Sequence, residues 1–361
     1  MQDTFDIAIA GAGIAGASLA AALAGKARVL VLETEETPGY HATGRSAAFW
    51  TESYGGPQVQ PLTTASGPFL RDGGFLTPRG ALTIGRRQDE EQVGQFVSRF
   101  GGLGVRVELL DRQALEKHIP GLRPEWAMGA FEPDCCDIDV AALHQHYLGT
   151  ARKNDAELRC RAGLASASRD SQGWHLVLAN GGEARCQVLV DAAGAWADDV
   201  ARRAGATPLG IAPLRRTMIQ LRTDPPAPDR LPLVLDISEK FYFKPDAGRL
   251  WLSPHDESPS QACDAAPEEI DVAMAIDRFE RVCDWRVAQV ERKWAGLRSF
   301  APDRLPVYGF DPHVPGFFWF AGQGGFGIQT APAAADLAAA LLLGADAGHF
   351  DPQPFSPNRF Y

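Results

Sequence analysis

The chain has 361 residues, 45% hydrophobic and 22% charged, a composition that supports one large or two intertwined domains burying about three-quarters of their unfolded surface. Lys and Arg number 35 against 45 Asp and Glu, a formal net charge of −10, which argues against a nucleic-acid surface and for a soluble protein acting on small molecules. Six cysteines (Cys135, Cys136, Cys160, Cys186, Cys263 and Cys283) show no CxxC pair or regular framework, so reduced thiols in a cytoplasmic protein are expected.

Asp6 to Ala10 reads as a strand that runs into GAGIAG, placing Gly11, Gly13 and Gly16 at GxGxxG spacing around Ile14 and Ala15. A helix of small residues is expected over Ala17 to Leu23, then a second strand over residues 28–33 that ends in Glu33. Gly11 permits the sharp turn, Gly13 lets the backbone approach a pyrophosphate, and Gly16 lets helix and strand pack closely. The helix N-terminus offers about half a positive charge to phosphates, and Glu33 would accept a hydrogen bond from an adenosine ribose hydroxyl. The apolar run 7–24 follows Asp3 and Asp6, where a secretory signal would carry positive charge, so it is expected to be structure. Ala331 to Leu343 is too short to span a bilayer and contains Asp336.

Further along, residues 72–86 suggest two short strands and residues 88–100 a helix. Asp139 can cap a helix over Val140 to Tyr147. His144 and His146 on that helix have no third ligand at metal-site spacing and are expected on its surface, with no metal bound. Cys186 to Ala201 repeats the earlier logic, with a buried strand, a turn at Ala192, Ala193 and Gly194, and a helix. The runs Leu214 to Leu221, Leu231 to Asp236, Phe241 to Lys244 and Leu250 to Ser253 suggest an antiparallel sheet. Phe317 to Gly344 reads as a strand, a Gly-rich turn and a long Ala-rich helix.

This order implies an α/β protein in which a Rossmann-like dinucleotide domain (residues 1–58, 138–212 and 296–361) is interleaved with an antiparallel-sheet substrate domain (59–137 and 213–295). The ligand should lie between them. The second glycine turn, Gly322 to Gly327, is expected to lead directly into a helix. Its amides can stabilise negative charge on a reduced flavin ring, a need that an NAD enzyme does not have.

The segments GYHATGRSAAFWTESYG (39–55), DAAGAWAD (191–198), FYFKPDAG (241–248), WAGLRSF (294–300) and AGQGGFGIQT (321–330) together resemble the D-amino-acid oxidase superfamily. Within it they are most similar to the FAD-dependent D-arginine dehydrogenase type, nearly end to end. The resemblance implies non-covalent FAD in a glutathione-reductase-type fold. Thr43, Gly44, Arg45 and Ser46 would lie along the pyrophosphate and flavin, with Ala193, Gly194, Trp196, Gly324, Gly325, Gly327, Ile328 and Gln329 also at the cofactor. Some members of the superfamily bond flavin to a histidine or cysteine; His41 precedes TGRS here, but the nearest resemblance is non-covalent.

By the same resemblance Arg216 and Arg298 take the substrate carboxylate, where a planar guanidinium fork gives paired charge-assisted hydrogen bonds. Tyr54 and Tyr242 close over the substrate, while Arg215 is expected in a salt bridge. The reaction implied is hydride transfer from Cα to flavin N5, giving an imino acid that hydrolyses to a 2-oxo acid and ammonia. Oxygen and a quinone are equally open as the final oxidant, and nothing in the sequence indicates a peripheral membrane contact. Ala81 stands where D-arginine-type enzymes carry a glutamate for the substrate guanidinium, and Phe49 and Trp50 stand for a histidine and tyrosine. With Gly325 they would form a less polar pocket, so neutral, hydrophobic D-amino acids are expected. The alternatives are a glycine, sarcosine or other secondary-amine oxidase and, in a different class, a non-catalytic flavoprotein.

Overall fold

Strand β1 (Thr4–Ala10) alternates its side chains between two apolar layers. Ala8 and Ala10 face one, Ile7 and Ile9 the other. A strand apolar on both faces belongs in a sheet covered on both sides. The fold was obtained as a computed structural model that describes residues 4–348 and 350–361, so Asp3 lies outside the described residues. β1 is central in an eight-stranded sheet, parallel to β2 (Val29–Leu32) on one side and to the strand Glu183–Asp191 on the other.

Between β1 and β2 runs helix α1 (Ile14–Leu23), which starts three residues earlier than the sequence suggests. Gly16 therefore lies inside its first turn, and the packing explains why. A Cβ on Gly16 would sit 1.9 Å from the Gly11 carbonyl oxygen, while Gly11 itself turns at φ +105°. At this crossing no side chain fits between helix and turn.

The second sheet has ten strands. Its spine is the long antiparallel pair Ala212–Asp224 and Arg286–Phe300, which pairs Leu214 with Arg298 and Arg216 with Gly296. Arg216 and Arg298 are thus diagonal neighbours on one face. One pair departs from the antiparallel expectation: Leu233–Asp236 runs parallel to Ala81–Arg86. Ile219, Leu221, Phe243, Leu250 and Leu252 pack there with Phe279 of the helix Glu269–Glu280.

The residue order of the two sheets is interleaved. The eight-stranded sheet draws on residues 4–32, 157–191 and 307–321, and the ten-stranded sheet on 81–132, 212–300 and 323–324. The two strands expected within 72–86 do not form a hairpin, because Leu76–Pro78 joins a separate three-stranded sheet while Ala81–Arg86 enters the ten-stranded one. Asp139 caps its helix as expected, its Oδ1 accepting from Ala142 N at 2.9 Å, and the helix runs on to Lys153. His144 on this helix is buried, not on the surface. Its Nε2 lies 2.8 Å from the Ala12 carbonyl oxygen, because the residue sits on the face that packs over the first glycine turn. No helix among the described residues is long and apolar enough to cross a membrane.

Candidate active site

A cavity of about 410 Å³ runs from the end of β2 to the face of the ten-stranded sheet that carries both arginines. At one end Glu33 is nearly buried, its Oε2 accepting from Ala12 N and its Oε1 from Glu35 N, both at 2.9 Å. Each carboxylate oxygen keeps a second lone pair for a ribose hydroxyl. Thr43 Oγ1 accepts from Ile14 N at 2.9 Å, which ties residues 39–47 to the N-terminus of α1. Gly11, Gly13, Ile14, Ala15, Thr43, Arg45, Ser46, Ala193, Gly194, Trp196, Gly324, Gly325, Gly327 and Ile328 all line this cavity. An elongated dinucleotide with its ribose at Glu33 and its ring near Gly324 fits these walls.

Three of the residues expected at the cofactor sit differently. Gly16 and Gly44 lie behind the wall, and Gly44 N donates to the Gly39 carbonyl oxygen at 2.8 Å, shaping the loop that makes the wall. Gln329 does not line the main cavity; its side chain holds the turn that carries Tyr54. The Arg45 guanidinium, although it lines the cavity, is engaged elsewhere. It donates to the carbonyls of Ala265 and Ala295 at 3.0 and 3.1 Å and pairs with Asp264, so it ties residues 264–265 and the strand Arg286–Phe300 to the 39–47 segment. The second glycine turn does not enter a helix directly either. Gln323–Gly324 pairs as a short strand with Ser299 and Phe300, and the helix begins at Ala331.

The structure brings Arg216, Tyr242 and Arg298 together at the far end of the cavity, and Tyr54, which does not itself line the cavity, is bonded to Arg298. Arg298 Nη1 donates to Tyr54 Oη at 2.7 Å, and Nη2 lies 3.5 Å from Tyr242 Oη. Tyr242 in turn donates to Met218 Sδ at 3.1 Å. Arg216, only 4% exposed, donates through Nε to the Asp256 carbonyl at 2.7 Å and through Nη2 to Glu257 at 3.2 Å. Its Nη1 is buried without a partner. Burial, and then the neighbouring Arg298, push the Arg216 guanidinium below its ordinary range. A buried guanidinium with an orphaned donor, on a residue that lines the cavity, calls for an anion. Glu257 is meanwhile shared with Arg304, whose Nη2 lies 2.9 Å from both of its oxygens.

Arg215, one residue along, points to the opposite face and pairs with Glu268 and Asp271, a salt bridge as expected. Phe49 lies against Tyr54 and Tyr242, at ring-centre distances of 5.6 and 6.2 Å. Trp50 does not join it. Successive residues of a strand face opposite ways, and Trp50 packs with Ile14, Leu70 and Tyr147 while its indole N–H donates to the Thr63 carbonyl at 2.9 Å. Ala81 is buried in one apolar cluster with Phe49, Met218 and Tyr242. Gly325 is at the centre of the site, where an added Cβ would stand 2.2 Å from Tyr54 Oη.

Sequence reasoning missed Met218, although it follows Arg216 by two residues on the same strand face and could have been found by that period. It also missed Glu132, which accepts from Glu52 and Ser53, just before Tyr54, from a strand far away in the chain.

Residues 6–341 match the family model described as "DAO: FAD dependent oxidoreductase". The chain belongs to this family, and it is an FAD-dependent oxidoreductase. It is 26% identical to the hydrogen cyanide synthase subunit HcnC of Pseudomonas aeruginosa, over 91% of this chain and 90% of that protein. It is likewise 26% identical to the glycine oxidase of Geobacillus kaustophilus, over 99% of this chain and 98% of that one. The crystal structure of the latter superposes with a TM-score of 0.86, covering 98% of both chains. The structure of L-proline dehydrogenase from P. horikoshii gives 0.88 at 19% identity, covering 100% of this chain and 98% of that one, a likeness of fold.

Proposed function

We infer that the protein oxidises the carbon–nitrogen bond of a neutral α-amino acid, of D configuration where the α-carbon is chiral, to an imino acid that hydrolyses to a 2-oxo acid and ammonia. Bound FAD, held without a covalent link, supplies the two-electron acceptor. The observation that carries this reading is the buried pair Arg298 and Arg216 at the end of the cavity, with Arg216 Nη1 lacking a partner. A carboxylate placed there would gain charge-assisted bonds from Arg216 and Arg298 and accept from the Tyr54 hydroxyl, whose oxygen already accepts from Arg298. Tyr242, with its proton on Met218 Sδ, closes the other side and keeps water out. Fixing the carboxylate orients the α-carbon, which is how much of the rate can be gained without a dedicated side-chain base.

Several features favour a neutral substrate. Ala81, Phe49 and Met218 offer no counter-charge. Glu132, directly opposite Ala81 across the sheet, lines neither cavity and spends its carboxylate on Glu52 N and Ser53 Oγ, holding the turn before Tyr54. A guanidinium or ammonium side chain would be buried without a partner there. These features weigh against a D-arginine-like specificity even though the motifs resemble that type.

Glycine or an N-substituted glycine is the second reading. The space enclosed by Phe49, Tyr242, Arg298 and Gly325 is about 20 Å³, room for a group about the size of one water molecule, so a small substrate is favoured unless a ring moves. The glycine oxidase relative favours the same reading.

Anaerobic bleaching of the flavin by D-alanine, D-leucine, D-arginine, glycine and sarcosine tests the assignment, with ammonia or methylamine measured as the co-product. Fastest reduction by D-arginine would refute the neutral-substrate reading. No reduction by any amine would refute the amino-acid reading itself. Flavin retained after denaturation would refute non-covalent attachment.

A further inference from the structure

Tyr54 ends a tight turn, residues 51–54, closed internally by Tyr54 N donating to the Thr51 carbonyl at 3.4 Å. Two buried side chains from distant elements hold this turn. Glu132, 3% exposed at the end of the strand Trp126–Glu132, accepts from Glu52 N through Oε1 and from Ser53 Oγ through Oε2, both at 2.6 Å. Gln329 lies in the turn before the helix Ala331–Leu343. Its Oε1 accepts from Thr51 N at 3.3 Å, while its Nε2 donates to the Tyr54 carbonyl at 3.2 Å and to Thr63 Oγ1 at 3.0 Å. All four residues of the turn thereby give a polar group to one of the two side chains. At the other end of the same tyrosine, the hydroxyl accepts from Arg298.

Burying a carboxylate to receive two turn donors costs stability, and the return is a fixed geometry. We propose that Glu132 and Gln329 are positioning residues that lock the 51–54 turn from two sides and so hold the Tyr54 hydroxyl against Arg298. Neither needs to touch substrate. Glu132 comes from the ten-stranded sheet and Gln329 from the glycine-turn segment, so the hydroxyl is referenced to the same two elements that carry Arg298 and Gly325. The functional part of this proposal rests on the reading of Tyr54 and Arg298 as carboxylate ligands.

The test uses purified holoenzyme, with acetate as the carboxylate probe followed through the flavin absorbance and amide hydrogen exchange measured across residues 51–54. Glu132→Ala and Gln329→Ala should each weaken acetate binding about tenfold, the worth of one misplaced hydrogen bond to a charged group, and speed exchange at Thr51 and Glu52. Glu132→Gln keeps an acceptor for Glu52 N, and the Ser53 hydroxyl can reverse, so most of the affinity should return. In a Tyr54→Phe background the same alanine substitutions should cost less than about twofold, because the group they position is gone. An equal loss in both backgrounds, or faster exchange with unchanged acetate affinity, overturns the proposal. If Glu132→Ala does not retain FAD, Gln329→Ala and Glu132→Gln in the two backgrounds decide it. Wild-type acetate affinity in Tyr54→Phe would instead overturn the carboxylate reading. Exchange alone then judges the lock, and unchanged exchange in both alanine variants overturns that as well.

Discussion

Gly325→Ala puts one methyl group into the most crowded point of the site. Its Cβ would stand 2.2 Å from Tyr54 Oη and 2.7 Å from Arg298 Nη1, whereas real contacts essentially never fall under 3.0 Å. Both neighbours are ends of side chains, so they give way and the backbone stays. Overpacking of this kind costs about 1–3 kcal/mol of stability, which a chain with this much core should survive. The larger effect falls on the 2.7 Å hydrogen bond between Arg298 and Tyr54, which cannot keep its geometry once both ends withdraw. A hydrogen bond to a charged group contributes about 1.5–3 kcal/mol, so carboxylate binding should weaken by about 10- to 100-fold. Acetate titration of the flavin spectrum, alongside kcat/KM for the best amino acid and FAD content per chain, measures this directly. A variant that holds FAD and binds acetate as tightly as the wild type would show that Tyr54 and Arg298 do not form the anion site.

Arg298→Ala should lower kcat/KM by about 100-fold or more while FAD stays bound, since it leaves a carboxylate without its buried partner; near-normal kinetics would remove Arg298 from the site. Trp50→Phe should cost about 1–3 kcal/mol of stability by chemical denaturation, through the lost bond to the Thr63 carbonyl and the space left behind. It should leave KM unchanged, and a shifted substrate preference would return Trp50 to the pocket. Burial, reinforced by Arg216 and Arg298, pushes the His255 imidazole down from 6.5 to about 2. The folded state then binds fewer protons than the unfolded state between those values. Stability from this group is therefore present above pH 6.5 and is lost as pH falls toward the folded value, by at most about 1.4 kcal/mol per unit. His255→Asn keeps a donor for the Glu239 carbonyl and suits the φ of +55°, so its Tm should fall less steeply below about pH 6. An unchanged acid slope would show that His255 does not set it.

The nucleotide half of the fold was legible in the sequence because its signals are local. Gly11, Gly13, Gly16 and Glu33 sit within one strand–helix–strand unit, and the constraint on each is a backbone contact that a glycine or an acid meets on its own. The arginines are legible only through the resemblance of long motifs, and the strand Arg286–Phe300 that carries Arg298 has no clear strand signature. Its first half is charged and largely exposed, with Arg286, Glu291, Arg292 and Lys293, so the alternation that marks a half-buried strand is weak there.

Direction was harder than position. Phe49 and Trp50 are adjacent in sequence and face opposite clusters, which a motif read as a string does not reveal. The hold on Tyr54 joins residues about eighty and nearly three hundred positions apart. Such contacts exist only once the sheets have assembled, and no local period announces them.

Recognition of a carboxylate by the buried arginine pair is the central proposal. The measurement that bears on it most directly is the anaerobic rate of flavin reduction by the fastest amino acid of the panel, set beside the amine obtained by removing its carboxyl group. The amine should reduce the flavin at least about 100-fold more slowly, because Arg216 and Arg298 would be left with no anion. Equal rates for acid and amine would contradict the account.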